Sequence, residues 1–432
     1  YIFDTSMIDT LLQKAGDKIG REIKTRGDCE LLSNAIYETL DVDLSYNTIR
    51  RLYGLATAVK PSINTLNVIA KFCDYKDYTH FTQTHIHEKK SNISQLVYRA
   101  VYRCDEAEII ALVKSTKKSS EDFIGFLVNL TRELLYNDQY LILDRVYRLK
   151  ELNYDTFSYS EILELGNSIG LLLRKVKIKK ESLLINTNFL RCVYLTFVDY
   201  SNLNGYYGEW ATLIRTKNNT KEIKTFTKAI LELKQFLNNR EAKDSFGDLA
   251  FGKDLHPILC SRLIAIKILT HNKDETIDIL EKYYTVHSVK KLLQLDYSYE
   301  LFFIAIITKN TTVMRYLINT IGGDTSFYYQ KYHKNSFYLM CMFYYKLTQD
   351  KSNQKKYALL FDPRYIRYSY EDFIFVLHNI YLYADTTNMK RMAIVRADYT
   401  QLCNKLQYPY FSEEFLEEYF NKPENKSGTI SL

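Results

Sequence analysis

The residues best suited to chemistry stand close together near the start of the chain: Ser45, Tyr46, Asn47, Thr48, Arg50, Arg51 and Lys60. A guanidinium can grip guanine and a carboxamide can grip adenine, each through two hydrogen bonds, while hydroxyls and lysines suit phosphate oxygens. From residue 44 to residue 73 there is no Asp or Glu, although the chain holds 51 of them, and Arg50, Arg51, Lys60 and Lys71 fall inside that window. Such a face attracts phosphate even when the domain around it is neutral. The first 90 residues do sum to zero, with 12 basic and 12 acidic side chains, so the formal charge of +7 resides in residues 91–432.

Other chemistry finds little material. A metal centre needs converging His, Cys or carboxylate groups. The only local cluster is His80, His85, His87 and Glu88, and two histidines two residues apart diverge on a helix. His256, His271, His287, His333 and His378 are scattered. Gly322-Gly323 before Asp324 lacks the Lys and Ser/Thr of a phosphate-binding loop, and no G-x-S-x-G is present. The pairs Glu413-Glu414 and Glu417-Glu418 read as surface helix charges. No metal, cofactor or catalytic residue is therefore expected, and the chain reads as a non-enzyme. The seven cysteines (29, 73, 104, 192, 260, 341, 403) are odd in number and never spaced C-x-x-C, which points to buried thiols in a reducing, cytoplasmic setting. No run reaches 18 apolar residues, so no membrane partner is expected. No basic-then-apolar leader opens the sequence, and a segment ahead of Tyr1 is left open.

The elements that must position these residues follow from composition. Of 432 residues, 46% are hydrophobic and 25% charged, which suits a folded protein of two to four domains. Gly (14) and Pro (5) are scarce, which argues against sandwiches, barrels and doubly wound sheets. The expected class is all-α. Tyr (38) and Phe (23) dominate the aromatic content, and tyrosines suit helix contacts that bury a ring while the hydroxyl finds a partner.

Apolar spacing predicts helices over 6–24, over 28–40 with Asp28 as N-cap, and over 46–53 with Ser45 as N-cap. In the third helix Ile49 and Leu52 point inward and Gly54 ends it. Ser62 caps a fourth helix with Leu66, Ile69, Ala70 and Phe72 inward, and a short fifth covers 75–85. Tyr46, Asn47 and Arg50 then face outward near the start of the third helix, where base edges are reached. Thr48, Arg51, Lys60 and the Ser45 cap are better placed for phosphates.

The stretch Ser45-Tyr46-Asn47-Thr48-Ile49-Arg50-Arg51-Leu52-Tyr53-Gly54, followed by Lys60-Pro61-Ser62 and Thr65-Leu66-Asn67-Val68-Ile69-Ala70, resembles the Cro/repressor-like (Xre-type) helix-turn-helix family. Two departures stand out: the turn lacks the Gly that often follows the first helix of the motif, and residues 40–44 make it slightly long. The resemblance implies a double-stranded DNA partner for residues 1–88.

Residues 89–432 form a second region of about thirteen expected helices: 93–114, 120–136, 139–152, 160–175, 182–199, 221–238, 255–270, 274–284, 289–308, 311–321, 326–347, 370–384 and 388–406. Short polar joints between them suggest helical hairpins in series. Joints 134–140, 268–274 and 344–350 share a local grammar and look like degenerate tetratricopeptide-type (TPR-like) repeats, without a fixed period. A non-repeating bundle is the alternative. Arg174, Lys175, Lys177, Lys179 and Lys180 form a basic patch, read as a solvated helix end, and Trp210 is expected in an inter-helix loop as a core or cap residue. The functional expectation is a DNA-binding transcriptional regulator whose helical region forms a homodimer and/or binds a peptide or protein effector. The alternative is a helical interaction scaffold that does not bind DNA.

Overall fold

Scarce Gly and Pro leave helices as the regular structure, and helices are the only regular elements among the described residues. The computed structural model describes residues 5–57, 59–119, 122–176, 181–218, 220–239, 257–271, 275–284, 294–323, 325–326, 328 and 330–421. The chain divides into two compact units, Tyr1–Arg103 and Cys104–Leu432. The division falls later than the expected 88/89 because residues 78–102 form one continuous helix.

The first unit holds α1 (Thr5–Lys18), α2 (Arg26–Leu40), α3 (Tyr46–Leu52), α4 (Ile63–Phe72) and α5 (Tyr78–Tyr102). Leu11, Leu32, Ile36, Ile49, Leu66, Ile69 and Phe81 meet in one buried cluster. α1 ends six residues before the expected boundary, because Gly20 enters the left-handed region at φ 70°. The Gly20 and Arg21 amides then donate to the carbonyls of Asp17 and Gly16, both at 3.0 Å. A Cβ on Gly16 would lie 2.8 Å from the Arg21 carbonyl, so this stop requires glycine there too. α2 starts earlier than expected. Thr25, not Asp28, is its N-cap, and the Asp28 carboxylate reaches back to the Thr25 amide at 2.8 Å in a capping box.

The second unit runs α6 (Glu106–Ser119), α7 (Phe123–Tyr136), α8 (Tyr140–Val146), α9 (Tyr159–Val176), α10 (Glu181–Ile185), α11 (Thr187–Phe189), α12 (Tyr206–Lys217), α13 (Lys221–Asn239) and α14 (Pro257–Thr270). It continues with α15 (Thr276–Ile279), α16 (Gln294–Ile307), α17 (Thr311–Ile321), α18 (Lys331–Leu347), α19 (Lys351–Leu360), α20 (Glu371–Asp385), α21 (Met389–Leu406) and α22 (Glu413–Glu418). Consecutive members pack in pairs, as in α12 with α13, α18 with α19 and α20 with α21. Trp210 is a core residue as expected, but it lies within α12 and not in a loop. The expected helix 182–199 is broken into α10, α11 and a π-helical turn, Leu190–Tyr194.

Joints 134–140 and 344–350 do share one geometry. Asp138 and Gln349 sit at φ 56° and 61°, and the residues after them, Gln139 and Asp350, donate to the carbonyls of Leu134 and Tyr345 at 2.9 Å. Lys309 and Asn310 repeat the arrangement between α16 and α17. In joint 268–274, residues 272–274 lie outside the described residues.

Two features tie the second unit together. Tyrosine hydroxyls donate to distant main-chain carbonyls: Tyr207 to Phe197, Tyr408 to Tyr200 and Tyr410 to Ile307, each at 2.6 Å. The second feature is a buried ion pair, Arg262 on α14 with Glu300 on α16 at 3.0 Å, both side chains essentially inaccessible. Arg262 also donates to the Leu195 carbonyl at 3.1 Å, and Tyr370 donates to Glu300 at 2.9 Å. Burial opposes the charge on Arg262, but Glu300 and the surrounding tyrosines outweigh it and raise its pKa. Removing one partner of such a pair strands the other in an apolar interior. Arg262→Met is therefore expected to cost about 3–5 kcal/mol in urea unfolding. Adding Glu300→Gln should recover part of that loss; a double variant that loses the full sum would show that the pairing is not the source.

Two histidines are held neutral. His333 on α18 lies between Asp296, which faces Nδ1, and Arg367, whose Nη2 is 3.3 Å from Nε2. Burial lowers its pKa, and Asp296 opposes that shift. Burial pushes His378 down to about 4. At His378, between about pH 6.5 and 4, the unfolded chain binds a proton that the folded one refuses, so stability falls as pH falls through that window, and His333 acts in the same direction. For His378, unfolding at pH 6 and pH 5 should differ by about 1 kcal/mol. His378→Gln is expected to flatten the slope, and an unchanged slope would refute its contribution.

Candidate nucleic-acid interface

Placement of α3 begins at the end of α2. Asp41 adopts φ 54°, ψ 38°, and its amide donates to the Tyr37 carbonyl at 2.9 Å. Here Asp takes the left-handed position that Gly commonly fills at a helix end, which non-glycine side chains occupy only at a cost. The turn is then fixed from above, because the Ser33 hydroxyl donates to the Leu44 carbonyl at 2.7 Å. Leu44 is buried, and Ser45 caps α3 by accepting from the Thr48 amide at 3.3 Å.

α3 is held by Ile49, which is fully buried in the cluster of the first unit. Its far end is tied to α1, where the Tyr53 hydroxyl donates to the Leu12 carbonyl at 2.5 Å. Gly54, at φ 70°, lets the Leu55 amide return to the Arg50 carbonyl at 2.8 Å. α4 follows with Ser62 as cap to Thr65 at 3.1 Å.

Of the seven expected site residues, Ser45, Asn47, Arg51 and Lys60 are exposed, while Tyr46, Thr48 and Arg50 are partly buried. Arg50 does not project freely. Its guanidinium lies 3.4 Å from both Asn47 Oδ1 and the Leu55 carbonyl, at the long edge of hydrogen-bonding distance. It also acts on the thiol of Cys29, which burial pushes up. Arg51 makes no hydrogen bond or ion pair among the described residues. The outward cation on α3 is therefore Arg51.

One neighbour escaped sequence reasoning. Arg26, at the start of α2, stacks its guanidinium 4.9 Å from the centre of the Tyr46 ring while pairing with Glu30 at 2.8 Å. The nineteen residues between Arg26 and Tyr46 give no periodic signal that joins them, and the contact exists because the capping box sets where α2 begins.

The remaining candidates are structural where they are described. The His80 Nδ1 accepts from the Lys76 amide at 3.4 Å, and His85 stacks on Phe81. Side chains of His87 and Glu88 lie outside the described residues, as do His256, His287 and Asp324. Among the described residues no group of His, Cys, Asp and Glu could hold a metal ion. In the basic patch Arg174 stacks over Tyr368 at 4.8 Å, while Lys177, Lys179 and Lys180 and the side chain of Lys175 lie outside the described residues. No described helix is long and apolar enough to cross a membrane. No protein-family model matches the chain, and neither a curated protein nor a solved structure shows significant similarity to it.

The turn makes its own prediction. Asp41→Val places a β-branched residue in the left-handed region and should lower stability by about 1–2 kcal/mol, whereas Asp41→Gly should be neutral or stabilising. Denaturant unfolding of the full chain checks the order, and equal stabilities would mean that the turn relaxes to another conformation.

Proposed function

We propose that this chain is a DNA-binding transcriptional regulator. The first unit docks α3 in the major groove, and the helical array after it forms a homodimer and/or binds a peptide or protein effector. The observation that carries the reading is α3 itself. It is a short helix capped by Ser45 and anchored through Ile49, with Asn47 and Arg51 outward, in a stretch of 30 residues without a carboxylate.

The division of labour follows from exposure. Asn47 is the base reader, and Arg51, Lys60, Ser45 and Thr48 serve phosphates. Arg50 joins base recognition by giving up its two long contacts, an inexpensive exchange at 3.4 Å. Tyr46 contributes one face of its ring, since Arg26 covers the other. A symmetric dimer would present two such helices to half-sites about 34 Å apart or a multiple of it.

The alternative, an interaction scaffold without DNA binding, draws on one observation. Arg50 and Arg26 already have partners inside the unit. Gel shifts on random-sequence duplexes at low and moderate salt separate the two. With four to six phosphate contacts, affinity should fall about 10²-fold or more between 50 and 200 mM salt. Arg50→Ala with Arg51→Ala should weaken it further and make the salt dependence shallower. Binding that ignores salt, or no binding at all, favours the scaffold.

A further inference from the structure

We propose that the second unit binds single-stranded nucleic acid along a row of tyrosines and cations. The row is built from the end of α9, the start of α18 and the segment 363–370 that leads into α20. Arg174 lies over the Tyr368 ring with its guanidinium 4.8 Å from the ring centre, Arg367 over Tyr332 at 5.3 Å, and Lys331 over Tyr365 at 4.9 Å. Residues 367 and 368 adjoin in the chain, as do 331 and 332, so the three pairs run end to end.

Two sets of hydrogen bonds hold the row in place. The Asn335 carboxamide donates to the carbonyls of Asp362 and Tyr365 at 2.9 and 3.0 Å and accepts from the Asp362 amide at 2.8 Å. Arg367 donates to Nε2 of the neutral His333 at 3.3 Å. The platform is therefore set before any ligand arrives, which lowers the ordering cost of binding.

Charge and exposure describe the ligand. The contributing stretches 165–180, 325–349 and 363–370 contain no Asp or Glu. Arg174, Lys331 and Arg367 have no ion pair among the described residues, and Arg364, paired with Asp362, keeps its side chain 84% exposed. Asp199, whose charge Arg174 favours, is fully buried and already accepts from Asn202 and Tyr206 at 2.9 and 2.7 Å. Such a face calls for an anion with several charges. The rings narrow the choice. Tyr332 and Tyr368 stay 43% and 56% exposed although a guanidinium covers one face of each. A duplex offers this face its phosphates alone, and an acidic peptide offers carboxylates without flat apolar groups. An unpaired strand repeats phosphate and base, which matches cations that alternate with rings, and three rings suit about three bases. The inference stands apart from α3 and from duplex recognition by the first unit.

Fluorescence anisotropy with the full chain tests it. The probes are a labelled oligo(dT) of about twelve nucleotides, its abasic analogue, an oligo(dA)·oligo(dT) duplex and an oligoglutamate peptide of the same length. Oligo(dT) should bind at about 50 mM salt, and the abasic strand and the peptide at least about fivefold more weakly, since they have no bases to stack. Tyr332→Leu with Tyr368→Leu keeps apolar bulk at two exposed positions. It should weaken oligo(dT) binding about tenfold or more, with the melting temperature and duplex binding unchanged. Lys331→Gln with Arg364→Gln, both on the surface, should make the salt dependence of oligo(dT) binding shallower. Arg50→Ala with Arg51→Ala should leave it intact. The proposal falls if oligo(dT) does not bind at about 0.1 mM protein, if the abasic strand or the peptide binds equally well, or if the tyrosine variant binds as the parent does. An unchanged salt slope in the Lys331 and Arg364 variant overturns it equally, whether or not the tyrosine variant folds. So does an equal loss of duplex binding in the tyrosine variant, or loss of oligo(dT) binding in the α3 variant, which would assign the strand to the first unit.

Discussion

Turning a helix back on its neighbour often takes one residue in the left-handed region, and among the described residues this chain supplies it mostly without glycine. Asp41, Asp74, Cys104, Asp138, Lys309, Gln349 and Gln407 all sit at φ between 53° and 67°. Each conformation costs about 1 kcal/mol or more for an ordinary side chain. What offsets it is economy of length. At Cys104-Asp105, Lys309-Asn310 and Gln349-Asp350 the residue after the left-handed one already caps the next helix through its side chain. Where these joints close, helix pairs such as α16 with α17 and α18 with α19 can pack directly. The same device, at Asp41, sets where α3 begins.

Joints this short bring main-chain carbonyls into the interior at helix ends, and polar side chains must answer them. The tyrosines do much of this. Their rings contribute apolar area while the hydroxyls reach carbonyls in distant parts of the chain, as Tyr410 does at Ile307 and Tyr419 at Ile306. Arg262 performs the same service at Leu195, just after the π-helical turn, and needs Glu300 to balance its charge. The abundance of Tyr and the scarcity of Gly are thus two sides of one solution to chain reversal.

The all-helical class was legible because composition and periodicity report directly on it. So was the core face of α3, where Ile49 and Leu52 recur at helical spacing. Helix ends were less legible. Gly20 stops α1 through a bond pattern that periodicity does not contain, and Thr25 displaces Asp28 as a cap because both share one capping box. Within the candidate interface, exposure of Asn47 and Arg51 could be read from spacing. The return of Arg50 to Leu55 and the stacking of Arg26 on Tyr46 could not, since both depend on where neighbouring turns place a flexible cation.

The unbroken course of α5 has a practical meaning for anyone wishing to produce the first unit alone. A cut after residue 88 would sever the helix in its middle turns and discard Val97, Ala100 and Val101, all of them buried. The fragment would end in a row of main-chain carbonyls robbed of their amide donors. The natural place to divide the polypeptide is after Arg103, where the helix has finished and Cys104 already turns the chain toward α6.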